Sequence, residues 1–267
     1  MITPVVQRWT HGRGSYRVAG EPIETRRYEV ASIADDRTAK AFVVAHHYSG
    51  TYPAARFRFG LYRGHELVGV AVFSVPANPR SLAVLPGAAA DSVELGRFVL
   101  VDDVPANGES WFLGRCFAQL RREGLAGVVS FSDPAPRTDV AGCVVFGGHL
   151  GTIYQAHNAA YLGRSRAELR RVLPDGSVVH NRALTKIRNR RRGWRYAVAQ
   201  LVRAGARPLR DDEDPRRWLT RELARVSRPL RHPGNHKYAW TMHKRDARHL
   251  RELARAYPKV HVERRGG

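Results

Sequence analysis

VELGRFVLVDDVPANGESWFLGRCFAQLRREGLAGVVSFSD, residues 93–133, is the stretch whose reading decides the fold. Two apolar runs, 93–101 and 125–133, bracket a segment with helical spacing. Within it Leu113, Cys116, Phe117 and Leu120 recur at i, i+3, i+4 and i+7, so one face of a helix is buried. Asn107 is placed to cap the start, Glu109 suits the first turn, and Gly124 suits the position just past the end. Strand, tight loop, helix and strand in this order make a crossover. The loop would present free backbone N–H groups at the helix start, where anions bind.

Working outward, TRRYEVASI (25–33) reads as a strand, and Asp35 or Asp36 can cap a helix through TAKAFVVAHHY. FRFGLYRGHELVGVAVFSV (57–75) is a hairpin around the polar RGHE turn, followed by a loop over 76–91. Beyond Gly163 the pattern changes. Residues 181–206 read as one or two arginine-dense helices broken at Gly193, and 208–226 as an acidic turn and another helix. HKYAWTM (236–242) is a late strand and ARHLRELARAY a last helix. Early antiparallel strands around a central β-α-β unit give an α/β (α+β) class.

Charge separates the chain into unlike parts. Residues 1–163 carry 16 basic and 14 acidic side chains, whereas residues 164–267 carry 29 and 10. A near-neutral part followed by a strongly basic one calls for a polyanion, and arginine's planar fork suits phosphate. RNRRRGWRY (188–196) adds Trp194 and Tyr196 to five arginines, which suits nucleic acid: guanidinium on phosphate, rings on bases. No apolar run approaches a membrane span, and the N-terminus has no signal-peptide core, so a membrane role is not expected. Cys116 and Cys143 form no CxxC pair, which argues against a disulfide framework and for a reducing cytoplasm.

Several residues have two readings from sequence alone. His46 and His47 point to different helical faces and can be solvated helix-end residues or a site. Arg97 sits among apolar neighbours in a strand, so it must be paired or face a cleft; Glu94, three residues away, falls on the opposite face of a straight strand. Asp133 ends a buried strand before Pro134, as a cleft residue or an Asp-Pro turn. Tyr154 with Gln155 and Asn158 can form a strand-to-helix junction with a local cap, or one wall of a site.

Taken together, AHHYSG (45–50), ELGRFVL (94–100), VPANGES (104–110), SFSDP (130–134), GHLGTIYQAHNAAYLG (148–163) and RHPGNHKYAW (231–240) resemble, in order and spacing, the Mom family of bacteriophage DNA-modification proteins. The resemblance spans residues 40–243. It implies a GNAT-like (acetyltransferase-like) fold: a mixed, mostly antiparallel central sheet flanked by helices, here with an added basic helical segment. The corresponding division is a core with the donor and catalytic site at 1–163, a basic DNA-contacting insertion at 164–235, and a late strand and helix packing on the core at 236–267. The implied activity is transfer of a methylcarbamoyl- or acetamido-type group to the 6-amino group of adenine in double-stranded DNA, shielding it from restriction. An acyltransferase acting on RNA or protein, and a non-catalytic DNA-binding protein, are the competing expectations.

Carried over residue by residue, the resemblance singles out His47, Tyr48, Asp133 and Tyr154, taken as catalytic, with Arg97 and Ser110. The helix start itself, with its free N–H groups, places donor binding at Asn107, Gly108 and Ser110 beside Arg97. Phosphates fall to the arginines, foremost Arg188, Arg190, Arg191, Arg192 and Arg195, with Trp194 supporting a displaced base. Asp133 or His47 would accept the amino proton, and Tyr154 would protonate the leaving group or orient the donor. Acetyl-CoA or another small-group donor, and iron held by His46, His47 and Tyr48, are the cofactors to test; a homodimer is one assembly to test. Two departures from the family pattern stand out. Residues 135–147 lengthen the link after Asp133 and make Asp139 a competitor for the acidic role. ANGESWFLG also lacks the Gln/Arg-x-x-Gly-x-Gly/Ala pattern of ordinary acyl-CoA binders.

Overall fold

The expected crossover organises a computed structural model that describes residues 5–259. The chain divides into two compact units. One comprises 1–134, 149–165 and 235–267, the other 135–148 and 166–234.

The first unit is built on a seven-stranded sheet. In chain order it contains the hairpin β1 (Val5–Thr10) and β2 (Arg13–Val18), then β3 (Tyr28–Ser32), α1 (Asp36–His46), β4 (Ala55–Arg63), β5 (Glu66–Ser74), β6 (Ser92–Leu100), α2 (Gly108–Arg122) and β7 (Gly127–Ser132). The same sheet is completed by the later strands β10 (Ala160–Arg164) and β14 (His236–Thr241) in the order β10-β14-β7-β6-β5-β4-β3. Short helix α3 (Thr152–Ala156) precedes β10, and α7 (Ala247–Leu253) follows β14. Every neighbouring pair in the large sheet is antiparallel except β6 and β7, which α2 joins in parallel. The class is therefore mixed α/β with a mostly antiparallel central sheet flanked by helices.

The helix α2 buries Phe112, Leu113, Cys116, Phe117 and Leu120 against Val93, Leu95, Val128 and Trp240. Each fully buried Leu or Phe contributes about 1.5–3 kcal/mol. Strand β5 is buried from Val68 through Ser74, which accounts for its unbroken apolar run. The structure also supplies β1 and β2, which carry no period strong enough to announce themselves.

Three local expectations change. Asp35, not Asp36, caps α1, accepting from the Thr38 N–H at 2.9 Å. Asn107 precedes α2 without a side-chain cap. Residues 148–158 run from loop to helix to strand rather than from strand to helix, with Gly151 (φ +73°) opening α3 and Asn158 (φ +57°) turning into β10. Both turns need the left-handed region that Gly and Asn tolerate.

The second unit contains β8 (Arg137–Thr138), β9 (Val144–Phe146), β11 (Glu168–Val172), β12 (Val178–Val179), α4 (Asn181–Arg188), α5 (Trp194–Arg203), α6 (Pro215–Val226) and β13 (Arg228–His232). Its core gathers Trp218, Ile187, Leu201, Leu219 and Leu223. The Trp218 indole N–H is satisfied by the Arg207 carbonyl at 3.0 Å. The basic segment is thus not only helical: β12-β11-β13 form an antiparallel sheet of their own. Strands β11 and β13 are rich in arginine, so period-2 apolar alternation is absent and the sequence reads as polar loop. Residues 135–148, expected with the core at 1–163, group with this basic unit.

Candidate active site and basic surface

In the first unit, α3 is started by Gly151, where a Cβ would meet the Tyr238 ring at 2.7 Å and the Tyr154 ring at 2.8 Å. That close approach turns Tyr154 inward. Its ring packs edge-on against His149 (5.6 Å), Tyr238 (5.4 Å) and Trp240 (5.6 Å). A second set of rings continues from it. His149 lies 6.3 Å edge-on from Trp9, Trp9 lies 4.5 Å from Tyr48, and Tyr48 stacks on His47 at 4.3 Å. Tyr154, His47 and Asp133 are buried. The expected residues His47, Tyr48, Asp133, Tyr154 and Arg97 are therefore brought into one neighbourhood, together with Trp9, His149, Ser130 and Glu94, which the sequence alone leaves out or undecided.

The straight-strand argument for Glu94 and Arg97 fails at a bulge. Strand β6 slips register between Leu95 and Arg97, leaving Gly96 as the extra residue. A Cβ on Gly96 would meet the Ser74 hydroxyl at 2.6 Å, so only glycine allows this approach. The extra residue returns Arg97 to the face of Glu94, close enough for each to feel the other's charge. The Arg97 guanidinium donates to the Thr51 carbonyl at 2.8 Å and also to the Thr51 hydroxyl. The segment after α1 is thereby tied to β6.

Electrostatics set the protonation states. Burial raises the Tyr154 phenol far above its ordinary value, only partly offset by its hydrogen bond with Ser130 and the nearby Arg97 charge, so it holds its proton. Burial lowers His47 well below the usual imidazole range, helped by Arg97 and His149. His149 is brought down to about 4 by burial, with Asp133 pulling the other way. Burial raises Glu94 and lowers Arg97.

The two histidines are thus neutral, and their hydrogen bonds assign the tautomer. The Ser49 backbone N–H donates to His47 Nδ1 at 3.1 Å, and the Gly151 N–H donates to His149 Nδ1 at 3.3 Å. With Nδ1 accepting, Nε2 carries the hydrogen in both rings. Each ring therefore presents a hydrogen-bond donor at Nε2.

The residues assigned to donor binding behave differently. Glu21 occupies the amides before α2: its carboxylate accepts from the Ala106 N–H at 3.0 Å and its carbonyl from the Asn107 N–H at 3.1 Å. The Gly108 N–H goes to Pro105 O at 2.8 Å, and Ser110 Oγ donates to Asn107 O at 3.2 Å. Buried Arg8 stitches the same loop to Glu109 and to the carbonyls of Val101 and Pro105. Asn107, Gly108 and Ser110 therefore serve the loop itself. With the Ala106, Asn107 and Gly108 amides already bonded to Glu21 and Pro105, this helix start does not fit the pyrophosphate of acetyl-CoA. Nor do the expected iron ligands converge. The His46 ring lies against Phe42 (4.6 Å) and His11 (5.2 Å), and His47 lies near the Arg97 cation. No group of three His, Cys, Asp or Glu suited to a metal occurs among the described residues.

Gln155 and Asn158 have structural tasks. The Gln155 amide donates to Tyr238 Oη at 3.1 Å and Leu150 O at 3.3 Å, while Asn158 makes the turn. His157 packs between Phe117 and Trp240.

In the second unit, Arg188, Arg190, Arg191, Arg192 and Arg195 are exposed around the α4–α5 turn. This unit carries 20 basic and 8 acidic side chains. Arg190 is partly committed, donating to the Asp211 and Glu213 carbonyls at 3.0 and 3.1 Å. Trp194 packs on the Trp218 core with Arg190 and Arg195 over its ring, so Tyr196, 68 % exposed, is the aromatic presented outward. Asp139 belongs to this unit, where its carboxylate accepts from the Ala141 and Cys143 N–H groups at 2.9 Å each. Among the described residues no helix is long and apolar enough to cross a membrane.

An inward-facing cluster of rings and titratable groups on a mixed sheet is the architecture of a group-transfer or binding protein rather than of a structural one. The chain belongs to the Mom protein family, whose pattern matches residues 27–259. Among solved structures it is similar to a Bacillus subtilis acetyltransferase in complex with CoA, at 9 % identity and TM-score 0.32, covering 80 % of this chain and 97 % of that one. It is also similar to a tandem GNAT protein from the clavulanic acid biosynthesis pathway, at 8 % identity and TM-score 0.41, covering 81 % and 99 %. No curated protein sequence matches it significantly.

Proposed function

We propose that the chain is a DNA-modifying transferase that places a small methylcarbamoyl- or acetamido-type group on the 6-amino nitrogen of adenine. Family membership supports a modification-type transferase, and the basic unit supports a nucleic-acid acceptor. The observation that carries the reading is the buried cluster itself, which combines a proton-bearing Tyr154, two neutral N–H-donating histidines, the Arg97 cation and the Asp133 carboxylate. The adenine amino group is conjugated and paired, so it must first leave the duplex, at a cost of a few kcal/mol.

Its nitrogen then bonds to the electrophilic carbon of the donor while that carbon's bond to the leaving group breaks. Asp133 takes the proton from nitrogen. Tyr154 gives its proton to the departing atom, and the proton on Asp133 later restores the phenol through solvent or the intervening rings. The N–H groups of His47 and His149, with Arg97, hold the charge that develops on the donor's oxygen. No coenzyme A pyrophosphate is part of this step.

The test is mass spectrometry of nucleosides from the DNA of cells expressing the chain. A heavier deoxyadenosine is expected, and unmodified DNA beside acylated RNA or protein would favour an ordinary acyltransferase. Tyr154→Phe should lower modification by about 10²- to 10⁴-fold while leaving DNA binding in place. Near-normal modification by that variant removes Tyr154 from the chemistry.

A further inference from the structure

His236, in the late motif RHPGNHKYAW, has no part in the chemistry above. It opens β14 and pairs in register with Ser132 at the end of β7, so both side chains leave the same face of the first unit's sheet. His236 is 1 % exposed and Ser132 is fully buried. Yet Ser132 Oγ and His236 Nε2 have no hydrogen-bond partner among the described residues, not even each other. Buried polar atoms are almost always paired, and an unpaired one is costly. Two such atoms on facing residues call for a group that pairs with both.

The surroundings set the chemistry of that group. Tyr161, on the neighbouring strand β10, bonds His236 Nδ1 at 2.8 Å, which holds the ring and leaves Nε2 as its unmet atom. Burial, helped by Arg164, brings the imidazole down to about 4, so the ring is neutral. A neutral ring beside a serine hydroxyl suits a neutral N–H. Position agrees. Ser130, two residues before Ser132 on the same face of β7, hydrogen-bonds with Tyr154. Ser132 therefore stands about 7 Å further along the strand. Two or three covalent bonds, about 3–4 Å, and one hydrogen bond of about 3 Å cover that span. Tyr154 is itself buried, so a group that reaches its phenol enters the same interior.

We infer that Ser132 and His236 receive the amide N–H of the transferred group. That N–H donates to Ser132 Oγ, the serine hydroxyl donates to His236 Nε2, and His236 Nδ1–H donates to Tyr161 Oη. The inference rests on the adenine-transfer reading above and adds what selects the group. Both forms of the group proposed there carry an amide. Its carbonyl oxygen is provided for by His47, His149 and Arg97, whereas its N–H is not. One ligand N–H satisfies both atoms at once, because it turns the serine hydroxyl toward the imidazole. A group of the same shape without an N–H leaves Ser132 Oγ unpaired, which is how a site built to hydrogen-bond rejects an analogue. Ser132 is thus a specificity-determining contact and His236 the residue that positions it, and no covalent bond forms or breaks at either.

In the full chain, Ser132→Ala should lower modified deoxyadenosine in the DNA of expressing cells by about tenfold, the loss expected for one hydrogen bond. Its melting temperature should hold or rise, because an unpaired buried hydroxyl is removed. Its duplex affinity should stay within about twofold of wild type. His236→Gln, which can still accept from Ser132, should keep more modification than His236→Phe. N-methylacetamide and methyl acetate have matched shapes, but only the first carries an N–H. With isotope-labelled histidine, N-methylacetamide alone should shift the ring-nitrogen resonance that His236→Gln removes, and Ser132→Ala should abolish the shift. Normal modification by Ser132→Ala overturns the inference, as does a loss of modification matched by a fall in melting temperature. An equal response to both probes, or to neither, overturns it as well. Absence of modified deoxyadenosine with the wild-type chain is a distinct result that strikes the proposed function, and the two probes still decide whether Ser132 and His236 read an N–H.

Discussion

The two units use charge in opposite ways. In the first, titratable groups turn inward and lose their ordinary behaviour: His47 and His149 are driven neutral, Tyr154 keeps its proton, and Glu94 and Arg97 are desolvated on one face of a bulged strand. In the second, most charge faces water, Arg137 and Arg170 being buried exceptions, and the buried carboxylate of Glu222 is fully matched. Burial alone would raise Glu222, yet the Arg207 N–H, Arg221 and Arg225 bring it to about 2. Ionisable groups placed in low dielectric gain chemistry at a cost in stability, whereas groups left in water keep long-range attraction for a polyanion. On the proposed function, reactivity and DNA affinity are therefore separable, and each can be attacked without the other.

The largest expected effect strikes the second unit. Replacing Arg188, Arg191, Arg192 and Arg195 together with Gln should cost about 10³-fold in duplex affinity near physiological salt. It should also flatten the dependence of log affinity on log salt by up to about 3.6, some 0.9 for each phosphate that the protein no longer neutralises. Titration of a labelled duplex at several salt concentrations reads both quantities. An unchanged slope would mean these guanidinium groups touch no phosphate. Arg190 is left intact in this variant, because it fastens the 211–213 turn and its loss would confuse binding with folding.

This contrast also explains what the sequence could and could not reveal. The β6–α2–β7 crossover was legible because helical periodicity and turn residues agree over more than 30 residues. The strong basic charge of the second unit was legible, but its arginine-rich strands β11 and β13 hid from any period-based reading. His47, Tyr48, Arg97, Asp133 and Tyr154 were placed together by motif order, and the structure brings them into one neighbourhood. Trp9 could not be foreseen, because a hairpin residue enters the ring cluster only through tertiary packing. Glu94 was sent to the wrong face because one bulge at Gly96 reverses the side-chain count beyond it. The loop at Asn107, Gly108 and Ser110 looked like an anion site because Glu21, some 85 residues earlier, is what fills its amides.

The next effect concerns the first unit. His149 falls from 6.5 to about 4, His236 likewise to about 4, and His47 lies well below 6.5, in each case chiefly through burial. The unfolded chain therefore binds more protons than the folded one between those values. The stability these neutral rings permit is complete above pH 6.5 and is lost as pH falls toward 4. Glu109, raised by burial to about 7, and Glu94, also raised by burial, work the other way, losing their contributions as pH rises above 4.5, but they stand against five histidines lowered chiefly by burial, His46, His47, His149, His157 and His236. Lowering the pH from 7 to 4.5 should destabilise the first unit by about 2 kcal/mol for His149 alone, allowing for screening at its partly exposed edge. Hydrogen-exchange protection factors should fall in the first unit's sheet before they fall around Trp218. The opposite order would break the contrast between the units. His149→Gln should flatten the pH profile even where it also lowers the midpoint.

The smallest expected effect carries the sharpest distinction between a loop that binds a donor and one that serves the fold. Ser110 is where the family comparison puts a donor contact, yet its hydroxyl donates within its own turn to Asn107 O at 3.2 Å. Neighbouring amides are satisfied by Glu21 and Pro105. An exposed serine hydroxyl with a local carbonyl partner is worth little, so Ser110→Ala should change stability by less than about 0.5 kcal/mol. Modification of DNA should stay within about twofold of wild type. Glu21→Gln provides the complementary measurement, because it weakens the carboxylate that holds the Ala106 amide and loosens the loop without touching Ser110. If the loop is structural, Glu21→Gln lowers the melting temperature by more than Ser110→Ala does, and neither variant gains affinity for coenzyme A in calorimetry. A tenfold loss of modification in Ser110→Ala with the melting temperature unchanged would return the loop to the donor site. It would also require the donor to displace Glu21 from the amides it now occupies.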